Sequence, residues 1–175
     1  MRRGILFIFA LPMMLAGFVM AAPAALAVSP HFVSASATVN ANGTLTVSFK
    51  DAGLGTNQLI NYTASADATA TYVCVNNGGA NPSAANKTTV SGPVSATGTF
   101  SSGKNGNVTA LLTLSPPPPP SPSTFSCPKG QNGPELAQVS YTNVSITDNT
   151  NGITQPVPGT FSSGCLLPDV RGACS

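Results

Sequence analysis

The sequence predicts an all-β protein: a single antiparallel β-sandwich of immunoglobulin-like type, with a small closed β-barrel as the alternative. Three observations carry this expectation. Apolar residues recur at every second position in segment after segment, which places them on one face of a strand. Asn, Gly, Ser and Pro cluster between these segments, where turns need residues that tolerate unusual backbone angles. Beyond residue 27 no segment shows a convincing helical spacing of apolar residues.

The first 27 residues read as a secretory signal. Arg2 and Arg3 precede an apolar run from Gly4 to Ala22, and Ala25-Leu26-Ala27 is the small-x-small pattern of signal cleavage. The expected product is secreted and extracellular, with no stable membrane association after cleavage. Residues 28–164 are the expected sandwich domain, with a Pro-rich loop at 116–123, and residues 165–175 are an expected disulfide-closed tail.

The strands follow in order. Phe32 to Val39 is the first, and Asn42-Gly43 is a strong hairpin turn. Leu45, Val47 and Phe49 then share a face, and a loop spans Asp51 to Asn57. Leu59 to Ala66 and Ala68 to Val75 form two strands, the second with Tyr72 and Cys74 on one face and Val73 and Val75 on the other. A loop of Asn, Gly and Pro runs from Asn76 to Ala85. Val94 to Phe100 and Val108 to Leu114 alternate on either side of the turn Gly103 to Gly106. Leu136 to Thr147 is one long strand or two short ones. Its face changes from Val139 and Tyr141 to Val144 and Ile146, which requires a bulge. Ile153 to Phe161 is the last strand, weakened by Pro156 and Pro158. The expected total is seven to nine short strands.

Composition narrows the function. After the signal the chain has five Lys or Arg (Lys50, Lys87, Lys104, Lys129, Arg171) and five acids (Asp51, Asp67, Glu135, Asp148, Asp169). A net charge of zero without clustered cations argues against nucleic acid as a partner. Ser and Thr supply 38 of these 148 residues and Asn 14 more, so hydroxyls and amides take the place of charges on the surface.

Secretion makes the four cysteines readable as two disulfides in one of three pairings. The favoured pairing is Cys74–Cys127 with Cys165–Cys174, closing loops of 54 and 10 residues. The chain-entropy relation makes these contribute about 4 and about 2.5 kcal/mol. The Cys spacing does not suit zinc. Pro116 to Pro120, continued by Ser121-Pro122-Ser123, reads as a rigid crossover within one domain. The hexapeptide Gly-Thr-Phe-Ser-Ser-Gly occurs at 98–103 and again at 159–164. Its structural reading is two equivalent strand ends with Phe as a core plug. Its functional reading is a paired ligand edge presenting Phe100 and Phe161.

Catalytic equipment is sparse. His31 is the lone histidine, and no nucleophile motif surrounds a serine. Acid pairing is conceivable between Asp148 and Asp169 or between Asp51 and Asp67. The run Asp148-Asn149-Thr150-Asn151 reads as an ordinary turn rather than a Ca²⁺ loop. No catalytic residue, metal or cofactor is expected, and the protein is expected not to be an enzyme. Sequons stand at Asn42, Asn61, Asn86, Asn107 and Asn143.

The segments 71–79 (TYVCVNNGG), 92–106 (GPVSATGTFSSGKNG) and 125–131 (FSCPKGQ) resemble a group of small secreted proteins of Gram-positive bacteria that has no assigned activity. The resemblance covers most of the chain after the signal. In that group the motifs around Cys74 and Cys127 recur, which supports their pairing. It implies a compartment and a type of host, and no functional residue.

Two functions remain. The first is a non-catalytic binding or structural module for cell-wall or environmental polysaccharide, with Tyr62, Tyr72 and Tyr141 as amphipathic contact candidates. The second is a peptidase inhibitor displaying Arg171 on the Cys165–Cys174 loop, where closure would remove the ordering cost of binding. The partner is an extracellular ligand, polysaccharide or protein.

Overall fold

In the computed structural model, residues 29–78 and 83–174 are described. The expected signal segment, residues 1–27, lies outside them. Eight strands follow: β1 His31–Val39, β2 Leu45–Ala52, β3 Leu59–Asn76, β4 Ala84–Ser101, β5 Val108–Leu114, β6 Gln131–Asp148, β7 Ile153–Val157 and β8 Phe161–Ser162. Among the described residues there is no helix.

The strands form two antiparallel sheets. One has the order β1-β2-β5, the other β4-β3-β6-β7, and β8 also pairs with β6. β1 lies beside β7 and β5 beside β4, but no ladder joins either pair. The closed-barrel alternative is therefore incorrect. The apolar faces of the two sheets meet in a sandwich core instead.

Alternation decides what enters that core. β2 contributes Leu45, Val47 and Phe49, β5 contributes Val108, Leu112 and Leu114, and β6 contributes Val139, Tyr141, Val144 and Ile146. Central β3 faces them with Ile60 and Tyr62, then four alanines at 64, 66, 68 and 70, then Tyr72. Small side chains on the middle strand leave room for the branched residues opposite, and interiors close-pack only when such volumes interlock. The expected face change in β6 is a bulge. Asn143 adopts φ 52°, one residue is inserted opposite Ser65–Asp67, and Val144 and Ile146 turn inward beside Val139 and Tyr141.

Strand length is the main departure from expectation. The two strands expected over 59–75 are the single 18-residue β3, and β4 and β6 also have 18 residues each. Ile153 to Phe161 instead divides into β7 and β8, because Pro158 and Gly159 interrupt the pairing with β6. The strands of the other sheet have 9, 8 and 7 residues. At 3.3 Å per residue the long strands reach about 60 Å and the short ones about 25–30 Å. The larger sheet therefore overhangs its partner.

Both faces of the overhang are covered. On the inner face the Tyr72 hydroxyl donates to the Pro117 carbonyl at 2.6 Å, and Cys74 is bonded to Cys127, so the proline segment is pinned across this end. On the outer face Val73, Val75 and Ala137 form a second small core with Ala173, flanked by Leu167 and Val170 of the loop closed by Cys165–Cys174. The Leu166 amide donates to Ala137 O at 2.8 Å, and the Ala84 amide donates to Arg171 O at 3.0 Å. The tail thus crosses the sheet from β6 to β4. Both disulfides are the expected pairs, and each fastens one covering layer.

Candidate functional site

The three tyrosines proposed as ligand contacts are core residues. Tyr62 and Tyr141 are 0% exposed and Tyr72 is 6% exposed. Each hydroxyl donates to a buried acceptor: Tyr62 to Asp51 Oδ2 at 3.1 Å, Tyr72 to Pro117 O, and Tyr141 to Gly43 O at 2.7 Å. Burial raises all three phenol pKa values, with nearby Asp51 adding to the effect at Tyr62, and Tyr141 is pushed up to about 12. The expectation that they meet a ligand is corrected. An inward strand position with an acceptor at its end accommodates both halves of an amphipathic ring.

The repeat is one structural device used twice. In the first copy the Ser102 amide donates to Gln58 O at 2.9 Å, and the Gln58 amide donates back to Ser102 Oγ at 2.9 Å. In the second, the Ser163 amide donates to Val139 O and the Val139 amide donates back to Ser163 Oγ, both at 3.0 Å. Each serine closes a ring with one residue of a neighbouring segment, Gln58 just before β3 or Val139 in β6, and a positive-φ glycine (Gly103 or Gly164) then turns the chain away. Phe100 and Phe161 are partly buried against the core on different strands, β4 and β8. Phe100 packs edge-on to Phe49 with ring centroids 6.2 Å apart.

Arg171 is exposed, but its carbonyl is occupied by the Ala84 amide, and Ala173 two residues on is buried. An inhibitor loop must lend its backbone to a peptidase, whereas here the backbone beside Arg171 is tied to β4. His31 is exposed, and its Nδ1 lies 2.8 Å from Ser29 O. Among the described residues no group of three His, Cys, Asp or Glu converges on one point.

The acids pair differently from either expected pairing. Asp51 at the end of β2 and Asp148 at the end of β6 are both 0% exposed, and their carboxyls lie within hydrogen-bonding reach of each other. Asp148 organises the following turn. Its Oδ1 accepts the amides of Thr150 and Asn151, both at 2.9 Å, and its Oδ2 accepts Asn151 Nδ2 at 2.6 Å. These donors make the 148–151 run a turn closed on its own carboxylate.

One surface feature was not visible as a site in the sequence. The outer face of β1-β2-β5 carries a groove of ≈ 720 Å³ that extends to Phe100. Two ladder rows line it: Ser36, Ser48 and Leu111, then Ser34, Lys50 and Thr109. Leu111 is 57% exposed. Among the described residues, the hydroxyls of Ser34, Ser36, Ser48 and Thr109 have no protein hydrogen-bond partner. Elsewhere hydroxyls do pair across strands, as in Thr46–Thr113 at 3.5 Å on the same sheet and Ser65–Ser145 and Thr69–Ser91, both at 3.0 Å, on the other. The sequence signal for the groove was faint: the outward positions of β5 alternate Thr, Leu, Thr where a purely solvated face would be polar throughout.

Comparison of the chain with protein-family models, with curated proteins and with solved structures gives no match.

Proposed function

We infer that this is a secreted, non-catalytic binding module whose three-stranded outer face takes a polysaccharide of the cell wall or the environment. The observation that carries the reading is the row of unpartnered hydroxyls around exposed Leu111. Serine and threonine hydroxyls both donate and accept, as sugar hydroxyls do. Leu111 offers an apolar patch for the C–H face of a pyranose ring, and Lys50 is the one charged residue lining the groove. The disulfides and the signal-like residues 1–27 agree with an extracellular address.

The finer reading of the fold as immunoglobulin-like belongs with this proposal. What supports it is strand adjacency. Followed from β7 back to β1, the strands neighbour one another as in a four-on-three immunoglobulin domain, with β7-β6-β3-β4 in one sheet and β1-β2-β5 in the other. On this reading the arrangement is shared and the chain direction is reversed.

The test is co-sedimentation of the purified protein with isolated cell wall, chitin and cellulose, alongside Leu111→Asp. Saturable retention on one polymer is expected, weakened at least about tenfold by Leu111→Asp, or about 1.4 kcal/mol. Retention on none of them, or retention indifferent to the substitution, overturns the assignment.

A further inference from the structure

Asp51 and Asp148 are two of only five acids in the chain, yet both are fully buried at the same end of the sandwich. The surroundings of Asp51 can be taken strand by strand. Its ladder neighbours are apolar, Phe32 on β1 and Val108 on β5. Tyr62 on β3 donates to Oδ2, and the carboxyl of Asp148 approaches from β6. Lys50 precedes it in the chain and points to the opposite face of β2. His31, the ladder partner of Ala52, is exposed. Among the described residues, no cation therefore faces the pair.

The hydrogen bonds assign the proton. Both oxygens of Asp148 already accept N–H groups, three in all. Asp51 Oδ2 accepts the Tyr62 hydroxyl, the Ala52 amide lies near the carboxyl, and among the described residues the buried Asp51 Oδ1 has no well-formed hydrogen bond. An ionised carboxylate with a bare oxygen in such a site would carry a large desolvation cost. A protonated acid removes the difficulty, because Oδ1–H becomes a donor and the neighbouring carboxylate its acceptor.

We propose that Asp51 and Asp148 share one proton in the folded protein, so that folding takes up a proton and the contribution of Asp51 to stability is greatest in acid. Desolvation by burial, reinforced by the Asp148 charge, holds the Asp51 carboxyl above its ordinary 3.8. An acid whose folded pKa is raised stabilises the fold fully below the unfolded value, and this contribution is lost as the pH climbs through the folded value. Asp51→Asn is the informative variant. Its amide Nδ2 can donate where the acid O–H donates, and its Oδ1 can accept from Tyr62, so it copies the protonated form and does not titrate.

The experiment measures thermal midpoints of wild type and Asp51→Asn from about pH 3 to about pH 9. The wild-type midpoint relative to the variant should fall as the pH rises, with the variant the more stable of the two at neutral pH. A constant difference, or one that grows in favour of wild type, overturns the proposal. If the variant does not fold, infrared spectra of the wild type decide. A protonated carboxylic-acid carbonyl band persisting at neutral pH supports the shared proton, and its absence refutes it.

Discussion

The tail loop offers the sharpest quantitative test of how the overhanging sheet end is held. Replacing Cys165 and Cys174 by alanine opens a loop of 10 residues, for which the chain-entropy relation gives a loss of about 2.5 kcal/mol. Two backbone hydrogen bonds, Leu166 to Ala137 and Ala84 to Arg171, can keep the tail in place after the bond is gone. If they do, the loss stays near this entropic value. In a domain of this size that is a fall in melting midpoint of roughly 5–10 °C. If the tail lifts, Val73, Val75 and Ala173 are uncovered as well, and the loss grows to about 5 kcal/mol. Urea denaturation measures the total, and hydrogen exchange at the Val73, Val75 and Ala137 amides separates the two cases. Removing Cys74 and Cys127 opens 54 residues, and its entropic part alone should cost more than that of the tail bond, about 4 kcal/mol before any loss of packing. A double variant at 165 and 174 with an unchanged midpoint would refute the view that the bond fastens the tail.

Other consequences can be checked on the same preparations. Ser102→Ala removes two hydrogen bonds in a site 1% exposed, with Gly55 O at 2.6 Å and the Gln58 amide at 2.9 Å, and should cost about 2–3 kcal/mol in urea denaturation. Ser163→Ala removes the equivalent pair where water can replace them, and should cost about 1 kcal/mol; a larger loss at Ser163 contradicts the burial argument. Tyr141→Phe leaves the buried Gly43 carbonyl without its donor and should lower stability by about 1–2 kcal/mol, with the same strand pattern by circular dichroism.

Much of the fold could be read from local pattern. β5 runs from Val108 to Leu114 as its alternation indicates, Gly43 turns the first hairpin with φ 83°, and the β6 bulge sits where the apolar face changes. The long strands were hidden by residues that resemble breaks. Asp67 divides the apparent strands in β3, but it is exposed beside a register shift and is held there by Asn143 Nδ2 at 2.8 Å. Gly92-Pro93 looks like a turn, yet β4 is an edge strand, where proline's missing N–H is tolerated. The candidate site was less legible. The tyrosines look amphipathic in any sequence, and only the fold shows that Gly43 O, Asp51 and Pro117 O receive their hydroxyls. The pairing of Asp51 with Asp148 depends on β2 and β6 ending at the same place across two sheets, which no local signal encodes.

The two ends of β3 show how one strand is secured by opposite means. Near Ile60 the facing sheet is present, so Tyr62 can join Phe32, Phe49 and Phe100 in an aromatic cluster, and even a carboxyl pair can be enclosed. Near Cys74 the facing sheet has ended. Alternation still presents apolar groups to both sides, Tyr72 and Cys74 inward and Val73 and Val75 outward, and four consecutive buried residues need cover from something other than strands. Short irregular segments bury little surface and lose much conformational entropy when ordered, so they make poor covers by packing alone. Proline stiffness reduces that cost on the inner side, and a 10-residue disulfide loop reduces it on the outer side. The placement of both disulfides at this end, and of neither between the two sheets, follows from where the sandwich runs out of its own partner.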